Sequence, residues 1–241
     1  MRRALGVIPV RFDSSRFPGK PLALILGKTM IQRVYERALA SRKLDRVIIA
    51  TDDDRILTVA KEFGAEAWMT SKEHESGTDR VAEVARKLDF PIVINIQGDE
   101  PLLSEGMVSS LVGALQKKQL AMASLMARVH DLSLLGDRNR VKVVVDKEDF
   151  ALYFSRAPLP FQAADFFSQH IGIYGYDRDF LLKFCQWPVS RLEKMEKLEQ
   201  LRALENGCRI KMIDVPSLTL SVDSPQDIIR VEEILKKEKN G

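Results

Sequence analysis

Through roughly the first half of the chain, short apolar runs alternate with amphipathic stretches, and that alternation leaves few folds open. Residues 5–9, 47–50, 66–69 and 92–96 read as strands, the last strongly apolar. Between them, Thr29 opens a helix with Gln32 completing a capping box and with Met30, Ile31, Val34, Ala38 and Leu39 as its apolar stripe. Residues 56–63 form a short helix stopped by Gly64, residues 81–88 are helical, and Ser104 caps a helix running to about Lys117. This pattern predicts an α/β fold with an open, doubly wound, mostly parallel sheet. The second half changes character: residues 122–129, 140–145, 151–154 and 170–176 read as strands with few helices between them, which predicts antiparallel pairing. Pro158, Pro160 and residues 162–169 form a loop. Ser190 with Glu193 caps a helix ending near Gly207, and Ser224-Pro225-Gln226-Asp227 is a strong helix start. One domain over residues 1–241, with an antiparallel insertion at about 122–190, is the expected organisation.

Composition narrows the function. A net charge of +3 is too small for nucleic-acid binding through bulk electrostatics, so basic residues matter only where they cluster. Cys185 and Cys208 match no metal spacing and read as reduced thiols. No stretch approaches the apolar length of a membrane span, and the run after Met1-Arg2-Arg3 is broken by Pro9 and Arg11 before it could serve as a signal peptide. The expectation is a cytoplasmic protein with no integral membrane segment.

The chemistry concentrates at strand ends. GVIPVRFDSSRFPGKPL, residues 6–22, starts as a buried strand and becomes a loop holding Arg11, Arg16 and Lys20. Three fixed cations at the carboxyl edge of a parallel sheet suit a polyphosphate, although the glycine spacing is not that of the GxxxxGK[ST] loop. INIQGDEPL, residues 94–102, places Gln97, Asp99 and Glu100 at the same edge; a carboxylate beside a polyphosphate is explained by Mg2+. Ser76-Gly77-Thr78-Asp79 is a turn entering a helix, whose N–H groups suit a base or phosphate only weakly. TDDD at residues 51–54 resembles a glycosyltransferase DxD, yet helix capping explains it as well. On residue pattern alone, Asp223 reads as a supplementary capping acid, His170 and Tyr174 as structural residues on one strand face, and Glu199 and Gln200 as part of a solvated helix.

Taken together, IPVRFDSSRFPGKPL, ATDDD, SGTDR, NIQGDEP, VKVVVD, ALYFSRAPLP, HIGIYGY, LEKLEQLRALENG and VDSPQD resemble, in order and nearly end to end, the 3-deoxy-manno-octulosonate (Kdo) cytidylyltransferase family. The resemblance implies the nucleotide-diphospho-sugar transferase type of α/β fold, with a smaller antiparallel region that serves dimerisation. It implies a reaction in which CTP and Kdo give CMP-Kdo and pyrophosphate for lipopolysaccharide biosynthesis. Carried onto this chain, it implies that Arg11, Ser14, Arg16 and Lys20 hold the triphosphate, and that Ser76, Gly77, Thr78 and Asp79 lie by the cytosine. It further implies that Asp99 and Asp223 bind Mg2+, and that Gln97, Arg156, His170, Tyr174, Glu199 and Gln200 line the sugar-acid pocket. Arg11, Arg16, Lys20, Asp99 and Asp223 are then the catalytic set, and a homodimer is expected.

The chain departs from the family pattern at Val10, where the family has IPAR, at Gln169, where a basic residue is usual, and at Arg140, which adds a charge before Val141-Lys142-Val143-Val144. The alternatives are a cytidylyltransferase for a related sugar acid such as 8-amino-Kdo, or a noncatalytic nucleotide-binding protein on the same fold.

Overall fold

The computed structural model describes residues 2–13, 17–117, 120–216 and 218–240. The chain divides into two compact units, residues 2–109 with 219–241, and residues 110–218.

The first unit contains β1 (Ala4–Val10), β2 (Leu24–Ile25), β3 (Lys28–Thr29), α1 (Met30–Ala40), β4 (Arg46–Thr51), α2 (Asp54–Glu62), β5 (Ala67–Met69), α3 (Gly77–Arg86) and β6 (Ile92–Asn95). Glu105–Lys117 forms α4. β1 pairs in parallel with β4 on one side and β6 on the other, and β4 pairs in parallel with β5. Parallel strands need covered faces, and Leu5, Val7, Ile8, Ile48, Ile49, Val93 and Ile94 are all without exposure.

Two caps differ from expectation. Thr29 does cap α1, accepting from the Gln32 amide at 3.3 Å, but the Gln32 side chain donates to Glu36 at 3.0 Å instead of reaching back. A reciprocal box lies at Ser76, whose hydroxyl accepts from the Asp79 amide at 3.1 Å while Asp79 accepts from the Ser76 amide at 3.1 Å. α3 therefore begins at Gly77, earlier than its apolar stripe suggests.

The second unit contains β7 (Met122–Val129), β8 (Lys142–Val145), β9 (Ala151–Ser155), β10 (Phe167–Asp177), α5 (Arg178–Phe184), α6 (Arg191–Glu196), α7 (Gln200–Glu205) and β11 (Ile210–Asp214). β10 runs antiparallel to β7 and touches β8 antiparallel at one pair, β8 runs antiparallel to β9, and β11 lies parallel to β7. The β10–β7 register jumps between Ile171 and Tyr174. The Ser124 hydroxyl fills that irregularity, 3.2 Å from the Ile171 carbonyl and 2.9 Å from that of Ile173. The single helix expected from Ser190 to Gly207 is two helices, because Lys197 adopts a left-handed conformation with φ 55° between them.

The chain then returns to the first unit through α8 (Pro225–Asn240). Val222, Val231 and Leu235 pack with Ile25 and Met30 in one buried cluster. Residues 218–222, strand-like in pattern, form no strand; instead the Val222 amide donates to the Asp99 carbonyl at 2.9 Å.

Candidate functional site

β1 and β6 are parallel neighbours, so the residues that leave their carboxyl ends emerge at one edge of the sheet. After β1 the chain folds back on itself. The Gly19 amide donates to the Phe12 carbonyl at 3.2 Å, and Gly19 takes φ 71°, a left-handed conformation that glycine adopts without a Cβ penalty. This turn delivers Lys20 to the carboxylates. Its ammonium lies 2.7 Å from Asp99 Oδ2, 2.9 Å from the Val222 carbonyl and 3.9 Å from Asp223 Oδ1. Asp99 follows Gly98, where a Cβ would stand 3.3 Å from the Pro9 carbonyl oxygen and 3.2 Å from Val10 Cγ1, so a side chain there would press the exit of β6 away from β1 by a few tenths of an ångström. The capping role that the pattern gave to Asp223 belongs to Asp227, which accepts from the amides of Asp223 and Ser224 and from the Ser224 hydroxyl. A cleft of about 340 Å³ opens here, lined by Val10, Arg11, Asp13, Lys20, Gln97 and Asp99 among others.

Acids outnumber the lysine. Glu100 is buried beside Asp99, and its carboxyl is pushed up to about 8 by burial and then by the charges of Asp99 and Asp223. Its Oε2 has no hydrogen-bond partner among the described residues. Asp99 and Asp223 offer hard oxygen donors of the kind a divalent cation such as Mg2+ takes. Among the described residues no three His, Cys, Asp or Glu side chains converge to hold a metal. Two carboxylates, completed by other oxygens and water, are a common way of holding Mg2+.

Around the cleft, Arg11 donates to the His74 carbonyl, and the His74 ring is 2.7 Å from Glu83. Thr78 is buried and accepts from the Asn95 amide at 3.4 Å. Ser76 and Asp79 are occupied with each other, and a Cβ on Gly77 would lie 3.3 Å from the Pro9 ring, so α3 begins hard against the end of β1. Ser14 and Arg16 lie outside the described residues. In TDDD, Asp53 caps α2 by accepting from the Arg55 amide at 2.9 Å, and Asp52 pairs with the fully buried Arg80 at 2.6 Å. Structural duties thus account for both acids.

The second unit holds another polar constellation. The His170 ring nitrogen Nε2 lies 2.9 Å from the Ser124 hydroxyl, and the ring packs edge-on against Phe154 and beside Tyr174. Burial lowers its imidazole to about 3, so it is neutral at physiological pH. The Tyr174 hydroxyl donates to Gln200 Oε1 at 3.1 Å, and burial, with the Glu199 charge behind it, holds the phenol above its usual range. Gln200 opens α7 and Glu199 precedes it. Arg156 donates through Nε to the Glu196 carbonyl at 3.1 Å and through Nη1 to the Arg138 carbonyl at 3.0 Å. His170, Tyr174 and Gln200 thus form one contact chain, and Arg156 is tied to the bend that leads into Glu199. Ser124 and Glu196 escaped the reading of sequence as site residues and left no signal in it. Glu100 was placed at the sheet edge with Asp99 but was given no role of its own.

Known proteins resemble this chain over nearly all of its length. The profile of the family described as Cytidylyltransferase matches residues 5–212. The chain is 50% identical over 240 residues to a 3-deoxy-manno-octulosonate cytidylyltransferase of Solibacter usitatus, covering 98% of this chain and 95% of that protein. To the enzyme of the same name from Syntrophotalea carbinolica it is 48% identical over 243 residues, covering 95% and 97%. Among solved structures it resembles CMP:2-keto-3-deoxy-manno-octonic acid synthetase complexed with CTP, at TM-score 0.93 and 41% identity over 98% of this chain and 99% of that one. A 4-diphosphocytidyl-2C-methyl-D-erythritol synthase from Anaerococcus prevotii shares the fold at TM-score 0.64 and 14% identity, covering 98% and 99%.

Proposed function

We propose that this chain, which belongs to the 3-deoxy-manno-octulosonate cytidylyltransferase family, joins CTP to Kdo, giving CMP-Kdo and pyrophosphate for lipopolysaccharide biosynthesis. The anomeric hydroxyl of the sugar acid attacks the α-phosphorus of CTP, and pyrophosphate leaves in line. Such chemistry asks a protein chiefly for positioning and for charge placed where charge develops.

Arg11, Arg16 and Lys20 hold the triphosphate and neutralise the departing pyrophosphate, and Ser14 and the residues from Ser76 to Asp79 complete the nucleotide site. Asp99 and Asp223 hold Mg2+, which when bound supplies Lewis acidity and screens the repulsion between two anionic substrates. Lys20 sits on Asp99 in the free protein, so its ammonium changes partner when phosphate arrives. Arg156, His170, Tyr174, Glu199 and Gln200, with Gln97, receive the sugar acid; His170 enters neutral, as a hydrogen-bonding group and not as a cation. The contact of Lys20 with both Asp99 and Asp223 is the observation that carries this reading, because it gathers remote parts of the chain into one charged cluster.

The protein acts as a cytoplasmic homodimer in this reading. Self-association rests on the family resemblance, and among the described residues no helix is long and apolar enough to cross a membrane.

Pyrophosphate release with CTP or UTP against several sugar acids, with Mg2+ titrated, tests the proposal. The expected result is release only with CTP and Kdo. Asp99→Asn should lower kcat/KM about 100-fold or more, the loss of a charge-assisted contact, and should shift the Mg2+ dependence. A near-normal Asp99→Asn enzyme, or release with UTP as fast as with CTP, overturns it.

A further inference from the structure

Lys142 has no exposed surface, although it carries an ammonium. A lysine leaves water at a substantial cost unless every donor is used. Here all three are: Nζ donates to the carbonyls of Asp137 at 2.9 Å, Arg140 at 2.6 Å and Arg156 at 2.7 Å. Those carbonyls come from two segments, the turn before β8 and the end of β9. One ammonium therefore pins the turn to the residue that follows β9.

The first of these segments and the end of α6 hold the Arg156 side chain. Its Nη1 donates to the carbonyl of Arg138, inside the turn that Lys142 pins. Its Nε donates to the carbonyl of Glu196, and the Glu196 carboxylate closes the other side, accepting from the Ser155 hydroxyl at 2.7 Å and the Arg156 amide at 3.0 Å. The guanidinium is thus clasped by two carbonyls: that of Arg138 lies between two residues whose carbonyls Lys142 holds, and that of Glu196 belongs to the residue whose carboxylate takes the Ser155 hydroxyl and the Arg156 amide. Glu196 is also the last residue of α6, directly before the left-handed Lys197. The clasp consequently fixes where the chain turns toward Glu199 and Gln200.

Neither charge is needed to form β8 or β9, whose ladder is made by backbone groups. An apolar side chain at position 142 would leave the Arg140 and Arg156 carbonyls without this donor, while the Asp137 carbonyl still accepts from the Arg140 amide at 3.2 Å. We infer that Lys142 and Glu196 are positioning residues for the sugar-acid site, a two-charge brace that holds the Arg156 guanidinium in the orientation that receives the substrate carboxylate. This rests on the assignment of Arg156 to the sugar acid made above. Burial lowers the Lys142 ammonium's affinity for its proton, while Asp137 and Glu196 oppose that.

The test is a split of Michaelis constants on the full-length protein, with Kdo and CTP varied in turn, for Lys142→Met and Glu196→Gln. Glu196→Gln keeps the shape of the side chain, so it reports even if Lys142→Met does not fold. Each variant should raise KM for Kdo, by about tenfold for Lys142→Met, the scale of one lost charge-assisted contact, and leave KM for CTP within about twofold. The Nε–H resonance of Arg156 in 15N-labelled protein should shift in both variants without any substrate present. Unchanged KM for Kdo in a folded variant overturns the proposal, as does an equal rise in both constants. Arg156→Lys separates the two layers: if it leaves KM for Kdo unchanged, the assignment of Arg156 has failed, whereas a raised KM there with silent brace variants means the brace has failed.

Discussion

His170 shows how one residue's surroundings set its chemistry. Its imidazole is lowered from an ordinary 6.5 to about 3 by burial, so the unfolded chain binds a proton there that the folded one refuses. The stabilisation is fully present above pH 6.5 and is lost as pH falls from there toward about 3. Between pH 6.5 and 5 this single group should remove about 2 kcal/mol of stability. Urea midpoints for the wild type and His170→Gln at pH 7 and pH 5 check it: the variant should show the smaller drop, and equal drops would refute the assignment. Nothing in HIGIYGY announced that burial, because alternation puts His170 and Tyr174 on one face without saying which face is covered. The departures at residues 140 and 169 are also resolved only in three dimensions. Arg140 Nη1 donates to Gln169 Oε1 at 2.8 Å, so the added cation stands beside the position that lost one. Val10, the third departure, packs at the glycine that brings β6 close to β1.

At the scale of elements, the parallel strands of the first unit were legible because fully buried runs have no polar alternation to confuse them, and Gly64 and Ser104 mark real helix ends. The break at Lys197 was not, since amphipathic spacing continues across it and the left-handed residue is a lysine, not a glycine. Nor was the irregular path of residues 218–222, whose alternation mimics a strand while the Val222 amide bonds instead to Asp99. The turn after β1 can be tested directly. Gly19 has φ 71°, and an added Cβ would lie 3.3 Å from the Phe12 ring. Gly19→Ala should therefore cost about 1–2 kcal/mol in stability, and it should raise KM for CTP because the same turn delivers Lys20. A urea titration with CTP kinetics reads both, and an unaltered midpoint would show that the turn tolerates a side chain.

For the molecule as a whole, the gathering of Lys20, Asp99 and Asp223 was half legible. Two of the three lie just beyond strands whose shared edge the pattern predicts; Asp223 reaches them only because residues 219–241 return to the first unit. Ligand that bridges this cluster should stabilise the fold by mass action. CTP with Mg2+ at about 100 times its dissociation constant should add about 2.7 kcal/mol, or roughly 5–10 °C in Tm for a chain of this size. CTP in EDTA should give clearly less. Differential scanning fluorimetry decides, and equal shifts with and without the metal would argue that the carboxylates hold no ion.

The distance along the chain between these partners also bears on folding. Val222, whose carbonyl accepts from Lys20, lies 202 positions after it, and Val231 and Leu235 complete the cluster around Ile25 and Met30 across a similar span. Closing so long a loop costs entropy before its contacts repay it, so the gathering of cation and acids belongs to the slow, non-local part of folding.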